Sequence, residues 1–301
     1  MKDGLEWDRV GWQGIAFDVP ADWCPGKVEG DFANGYMRVE DELRVRLEVK
    51  WETARGKLPE ASRLVDNYIR QSIKKLPRKA PAPRIDRGRY VPALKALDHE
   101  AFTWRGTYSA HSLLLVAPSS RRVVHLRVFF EAGDEQRELT RRVFASVRAE
   151  PVNGRDEWAA FGFRFEVENT WRLEQSGLRT GCLQFLFRNG SDELEVVRLS
   201  LAEMVLRKRG LREWFGEFFA KRLRGFAYEV APWEREGEEG IRCSGLLRLR
   251  ARPLGLLRGR RRLSALAWHC RQSDKVYALR LVSGSPDDPR LAACARSIRC
   301  H

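Results

Sequence analysis

The chain repeats itself, and that constrains its fold more than any other feature. Gly14-Ile15-Ala16-Phe17-Asp18-Val19, then Trp23, matches Gly162-Phe163-Arg164-Phe165-Glu166-Val167, then Trp171, at a constant offset of 148 residues. Asp41-Glu42-Leu43 matches Asp192-Glu193-Leu194 and Ser146-Val147-Arg148 matches Ser297-Ile298-Arg299, both at an offset of 151. One short insertion accounts for the shift. The sequence therefore predicts a tandem duplication, residues 1–151 and 152–301, with Pro151-Val152-Asn153-Gly154 as linker.

Within each copy the pattern predicts the same order of elements. A first strand (13–19; 161–167) leads to a strand pair, whose alternation is clear where Leu43, Val45, Leu47 and Val49 interleave with Arg44, Arg46 and Glu48. Pro59-Glu60 opens a helix. Its stripe runs through Leu64/Val65, Tyr68/Ile69 and Ser72/Ile73 to Leu76, stopping at Pro77. Copy two offers Leu211, Trp214/Phe215, Phe218/Phe219 and Leu223, an aromatic stripe that reads as core. Strands are then expected near 84–91, 99–107, 110–117 and 122–130, and near 227–232, 240–252, 262–270 and 275–283. A short helix closes each copy, Asp134 to Arg148 and Asp287 to Arg299, with acids at its N-terminus. Short connections and few helices define an α+β class, an antiparallel sheet covered by helices.

Phe17-Asp18-Val19-Pro20-Ala21-Asp22-Trp23, with this element order, resembles the PsbP-like fold. That fold is shared by the extrinsic P subunit of photosystem II, the Ran-binding Mog proteins and DcrB-type bacterial proteins. Copy two keeps Phe165, Val167 and Trp171 but has Glu168 in place of the proline. The resemblance implies a binding module without catalytic residues. Among its DcrB-like members, the Eag chaperones of type VI secretion bind hydrophobic segments of effectors as dimers or fused pairs, and a fused pair is similar to that arrangement.

Composition narrows the class further. Hydrophobic residues make up 43% of the chain and charged residues 32%, which suits a globular protein with a real core. No run reaches the ~18 apolar residues of a membrane helix, and the first residues lack a signal-peptide pattern, so a cytoplasmic protein is expected. The six cysteines (Cys24, Cys182, Cys243, Cys270, Cys294, Cys300) form no Cys-x-x-Cys pair, and no disulfide framework is expected. His269-Cys270, Cys294 and Cys300-His301 could offer zinc ligands. Adjacent strand residues point to opposite faces, however, and Cys294 aligns with the core position Val143, so buried thiols are the plainer reading. His99, His111 and His125 fall in neighbouring strands and could converge or be ordinary sheet residues. The hydrolase elbow, the phosphate-binding loops, the zinc-protease helix and the calcium loop are all missing from the sequence. No cofactor and no catalytic residue are expected, and the chain reads as a non-enzyme.

The net charge is +14, from 55 Lys+Arg against 41 Asp+Glu. The second copy is the more basic, at +9 over 152–301 against +5 over 1–151. Seven arginines crowd one stretch: Arg248, Arg250, Arg252, Arg258, Arg260, Arg261 and Arg262. The first three alternate with Leu247, Leu249 and Ala251, giving a strand with one guanidinium face, and Arg258-Gly259-Arg260 suits a hairpin turn. Two uses are open beside a merely solvated edge strand. One is an acidic or hydrophobic segment of another protein, which makes the chain an adaptor or chaperone. The other is nucleic acid, although single-strand platforms interleave aromatics with their basic residues and 246–262 has none. Glu234, Glu236, Glu238 and Glu239 are the nearest acids that could neutralise the cluster.

Overall fold

The computed structural model describes residues 5–88, 90, 92–94, 97–131, 133–248, 261–285 and 288–300. The chain divides into two units, residues 1–164 and 165–301. The first contains β1 (Trp7–Trp12), β2 (Ile15–Pro20), β3 (Cys24–Gly30), β4 (Asn34–Glu40), β5 (Val45–Thr53) and α1 (Ala61–Lys74). β6 (Arg84–Arg87), β7 (Asp98–Arg105), β8 (Ser109–Ala117), β9 (Arg122–Phe129), α2 (Arg137–Ala145) and β10 (Arg155–Ala160) complete it. The chain passes into the second unit within β11 (Phe163–Glu168). There follow β12 (Arg172–Arg179), β13 (Cys182–Asn189), β14 (Asp192–Ser200), α3 (Ala202–Leu206), α4 (Leu211–Phe218) and α5 (Ala220–Leu223). The last elements are β15 (Phe226–Arg235), β16 (Glu238–Leu247), β17 (Arg262–Cys270), β18 (Lys275–Ser283) and α6 (Pro289–Ser297).

The duplication is visible as topology. One seven-stranded sheet runs β3-β4-β5-β9-β8-β7-β6 and the other β12-β13-β14-β18-β17-β16-β15, the same order element for element. Every neighbouring pair is antiparallel. The fold is thus predominantly antiparallel sheet with six helices among the described residues, within the expected α+β class. None of those helices is long and apolar enough to cross a membrane.

Smaller details repeat as well. Gln13 and Gly14 take φ of 52° and 74°, and Phe161 and Gly162 take 53° and 71°. Two successive left-handed residues make the tight turn whose twist matches a hairpin. The Ser146 hydroxyl accepts from the Asp18 N–H at 2.7 Å and donates to the Val143 carbonyl at 2.7 Å. Ser297 does the same with Glu166 at 2.8 Å and Cys294 at 2.6 Å. Each closing helix is stitched to its leading strand by one serine.

In each unit the large sheet is covered on both faces. α1 lays Val65, with Tyr68 and Ile69, on Phe102, Trp104, Leu114 and Val123. α4 and α5 cover the corresponding face with Trp214, Phe215, Phe219 and Leu223, over Ile241, Cys243 and Ala265. The signature side chains Phe17, Val19, Trp23, Phe165, Val167 and Trp171 are all buried, as a structural role requires.

The structure adds to these expectations and corrects some. It contains two further strands, β1 and β10, and in the Pro151-Val152-Asn153-Gly154 segment Asn153 and Gly154 form a tight turn into β10, which pairs with β1. Each expected strand pair is a triplet, because β3 and β12 precede it. The aromatic helix of copy two breaks into α4 and α5, with α3 ahead of them. The strand expected over 240–252 is seen as β16, Glu238–Leu247, and its residues 249–252 lie outside the described residues.

Candidate binding surface

β15, β16 and β17 form one end of the second unit's sheet, with β15 as its edge strand. Near Phe226 and Leu247 this end holds a shallow, open depression of about 480 Å³, floored by Ala227, Glu229, Ser244, Leu246, Arg262 and Ser264. Leu246, 36% exposed, lies on the face of this floor, while Tyr228 and Leu247, 44% and 40% exposed, alternate onto the opposite face of the same sheet end. Large apolar side chains grouped at one sheet end are what a surface built for contact looks like, whereas isolated ones need no explanation.

Arg262 lines the depression, and further basic residues stand near this sheet end. Arg248 follows β16 directly, is exposed, and its backbone N–H donates to the Gly225 carbonyl at 2.8 Å. Arg261 is half-buried: Nη2 donates to the Val282 carbonyl at 3.1 Å, and its own carbonyl accepts from the Leu247 N–H at 3.0 Å. Arg262 opens β17 opposite Leu246 on one side and Ser283 on the other. Lys221, Arg222 and Arg224, all exposed, stand at the corner leading into β15. Arg250, Arg252, Arg258 and Arg260 lie outside the described residues, as does the expected turn at Gly259.

Glu229 puts one carboxylate into the floor, and the acids nearest in sequence to the arginine cluster lie elsewhere. Glu234, Glu236, Glu238 and Glu239 cluster at the β15–β16 turn, where Arg235 pairs with Glu238, and Phe226 pairs with Leu247 at the other end of the same ladder. A ten-residue strand at 3.3 Å per residue puts about 30 Å between them, three Debye lengths at ordinary salt. Among the described residues no carboxylate forms an ion pair with Arg248, Arg261 or Arg262. Four of the hairpin's acids thus gather at its turn, and Arg248, Arg261 and Arg262 stand at the other end, beside Glu229.

A second concavity of about 1050 Å³ lies where α4 begins, between Leu206, Leu211, Val230, Pro232 and Ile241, with His269 at its wall. His269 Nε2 stands 3.8 Å from Asp274. Cys270, the next residue, is buried, so the two diverge as adjacent strand residues must. Among the described residues no group of three or more His, Cys, Asp or Glu side chains could hold a metal ion.

The other histidines are built into the sheet. His99 has both ring nitrogens on backbone carbonyls, Leu97 and Pro92, at 2.7 Å. His111 bonds Thr103 at 2.9 Å and the Glu135 carbonyl at 2.9 Å and stacks on Phe130, and burial pushes its pKa down. His125 packs edge-on against Tyr68, and complete burial drives its pKa down to about 3. It occupies the α1 face, opposite to His111, so the three do not converge.

Reasoning from sequence missed the polar centre shared by both sheets. Glu48 on β5 faces Arg127 on β9, and Glu195 on β14 faces Arg280 on β18, each pair joining the two central strands. Tyr36 donates to Glu48 at 2.5 Å, and Gln184 donates to Glu195 from the matching position. Burial and the Glu48 carboxylate push the Tyr36 phenol up to about 12. The signal was present as Glu/Arg at the middle of two apolar strands, but alternation assigns such residues to water.

No family profile matches this chain, and no curated protein matches it. Among solved structures it is similar to the T6SS immunity protein TplEi of Pseudomonas aeruginosa. The complex of that protein with "L" peptide is 10% identical, covers 99% of each chain and has a TM-score of 0.36. Its apo structure is 11% identical, covers 99% of this chain and 98% of that one, and has a TM-score of 0.38.

Proposed function

We propose that the protein is a non-enzymatic, cytoplasmic binding module of PsbP-like type, an adaptor or chaperone that holds an acidic, partly apolar segment of another protein. The observation behind this reading is the β15–β16 hairpin end, where Tyr228, Leu246 and Leu247 are exposed and Arg248, Arg261 and Arg262 form no ion pair among the described residues. Aromatic and arginine side chains dominate protein-binding energetics, and the exposed apolar side chains of this sheet end give a protein segment more to hold than a phosphate backbone would use. The three histidines serve packing, and a binding role needs no chemistry from them.

The test is titration of a peptide of alternating Glu and Leu against the wild type and the combined Arg248→Ala, Arg261→Ala, Arg262→Ala variant across a salt series. The variant is expected to bind at least tenfold more weakly, with salt acting mainly on the association rate. Equal binding by both proteins removes this surface from consideration. Preferential binding of nucleic acid, with a log–log salt slope of about −0.7 to −0.9 per phosphate, replaces the protein partner with a phosphate backbone.

A further inference from the structure

Cys270 and Cys300 come together in the second unit although a strand, a turn and a helix separate them in sequence. Cys270 is the last residue of β17 and is 1% exposed. Trp268, on the same face of that strand, stacks on Tyr277 at 5.3 Å between ring centres. The Tyr277 hydroxyl donates to the Cys300 carbonyl at 3.3 Å. Arg235 lies over the Trp268 ring at 4.7 Å and donates through Nη2 to the Ile298 carbonyl at 2.8 Å. These contacts draw residues 298–300 over the end of β17. There the two thiols are in hydrogen-bonding contact, with Lys275 and Arg235 as the neighbouring cations.

The first copy shows what these positions hold when only packing is required. Ala117 ends β8 as Cys270 ends β17, with Arg122 across the strand where copy two has Lys275. Ala149 follows Arg148 as Cys300 follows Arg299. Both alanines are buried, at 0% and 1%. Either cysteine alone would pass as a small buried side chain. The two buried alanines occupy the equivalent positions in copy one, and in copy two both occupants are thiols.

We propose that Cys270 and Cys300 form a reversible disulfide site, oxidised by exchange with a low-molecular-weight disulfide, that fastens the 298–300 segment to the end of β17. The half-buried Cys300 is the thiol that meets the reagent. Its thiolate attacks one sulfur of R–S–S–R, forming Cys300–S–S–R and expelling one thiolate. Deprotonated Cys270 then attacks the Cys300 sulfur and expels the second thiolate. One protein S–S bond forms and the reagent S–S bond breaks. The protein loses two electrons and two protons, and the reagent gains both as two thiols. Burial holds the Cys300 thiol above its ordinary pKa, while the Trp268 indole and Arg235 pull it back, so exchange quickens as pH rises.

Full-length protein incubated with oxidised glutathione, quenched by alkylation and peptide-mapped tests this. The expected product is a Cys270–Cys300 linked peptide pair, a mass lower by two hydrogens, two fewer alkylated thiols, and a Tm raised by roughly 5 °C or more, all reversed by dithiothreitol. Cys270→Ala and Cys300→Ala, which copy the alanines of the first unit and so keep the packing, should abolish the link, whereas Cys294→Ala should not. A stable glutathione adduct on Cys300 with Cys270 still alkylatable, or a bridge between any other pair, overturns the proposal. So does a protein that stays fully reduced in excess oxidised glutathione at pH 8.5.

Discussion

Arg280 donates through Nε to Glu195 at 2.9 Å, and the two side chains are only 2% and 1% exposed. Arg280 also pairs with Glu193, and Arg222 on α5 comes within 3.7 Å of Glu195. The centre of an otherwise apolar sheet is therefore charged and internally satisfied. Removing Glu195 leaves the buried Arg280 guanidinium with Glu193 alone. Glu195→Ala should cost about 1.5–3 kcal/mol in urea denaturation, the range for a lost hydrogen bond to a charged group. Glu195→Leu combined with Arg280→Met should recover most of that loss, since Glu193 keeps Arg188 at 3.3 Å. Glu48→Ala should cost less, because Glu48 and Arg127 are 17% and 16% exposed and the orphaned guanidinium can be hydrated.

His125 makes stability depend on acid. Its pKa falls from 6.5 to about 3 on folding, so the unfolded chain binds the proton far more readily. Its contribution is complete above pH 6.5 and is lost as pH falls toward 3, at up to ~1.4 kcal/mol per pH unit. Asp41, Glu193 and Asp288, whose pKa values are also held down, add to the loss at lower pH. Urea midpoints measured from pH 8 to pH 4 should fall more steeply for wild type than for His125→Leu. Parallel curves would mean that His125 is accessible to protons in the folded protein.

Gly11 lies in β1 opposite Ala159, and a Cβ there would stand 2.7 Å from the Glu157 carbonyl oxygen. Gly11→Ala has no side chain to displace, only backbone, and should separate β1 from β10 at a cost of at least 2 kcal/mol, in the range of overpacked sites. Gly162 has open space around its missing Cβ but a φ of 71°. Gly162→Ala should cost only the ~1–2 kcal/mol of a left-handed residue. Thermal melts of the two variants should rank them in that order.

Trp23 and Trp171 are buried at equivalent positions of the two copies. Trp23→Ala or Trp171→Ala should cost about 3–5 kcal/mol, the usual range for a buried large aromatic. Each indole also carries a guanidinium, Arg46 at 5.8 Å and Arg290 at 5.1 Å. Trp→Phe should therefore recover the packing better than Trp→Leu, as read by chemical denaturation.

The repeat made the order of most elements legible, because apolar alternation and turn residues recur at nearly constant offsets. β1 escaped because its sequence, Trp7-Asp8-Arg9-Val10-Gly11-Trp12, reads as polar. Arg9 is buried there, held by Asp18 at 2.9 Å, Glu157 at 3.0 Å and the Ser146 carbonyl at 2.9 Å. A charged residue held by partners distant in sequence leaves no trace in local pattern. The same holds for Glu195 and Arg280. The arginine cluster was plain in sequence, but its isolation from Glu234–Glu239 depends on hairpin length and register. Cys300 was invisible as a partner for Cys270 because only the fold of the last residues over Trp268 and Tyr277 brings them into contact.

The place of β10 sets a timetable for synthesis. The first unit includes a strand drawn from beyond the point where the second sequence repeat begins, so β1 stays without its second neighbour until residues 155–160 have left the ribosome. At ~5–20 residues per second, the interval between completion of α2 and arrival of β10 is on the order of a second. During that interval Gly11 and its neighbours offer an open ladder to any other extended chain nearby. By the time the ladder closes, translation has already started on the second copy.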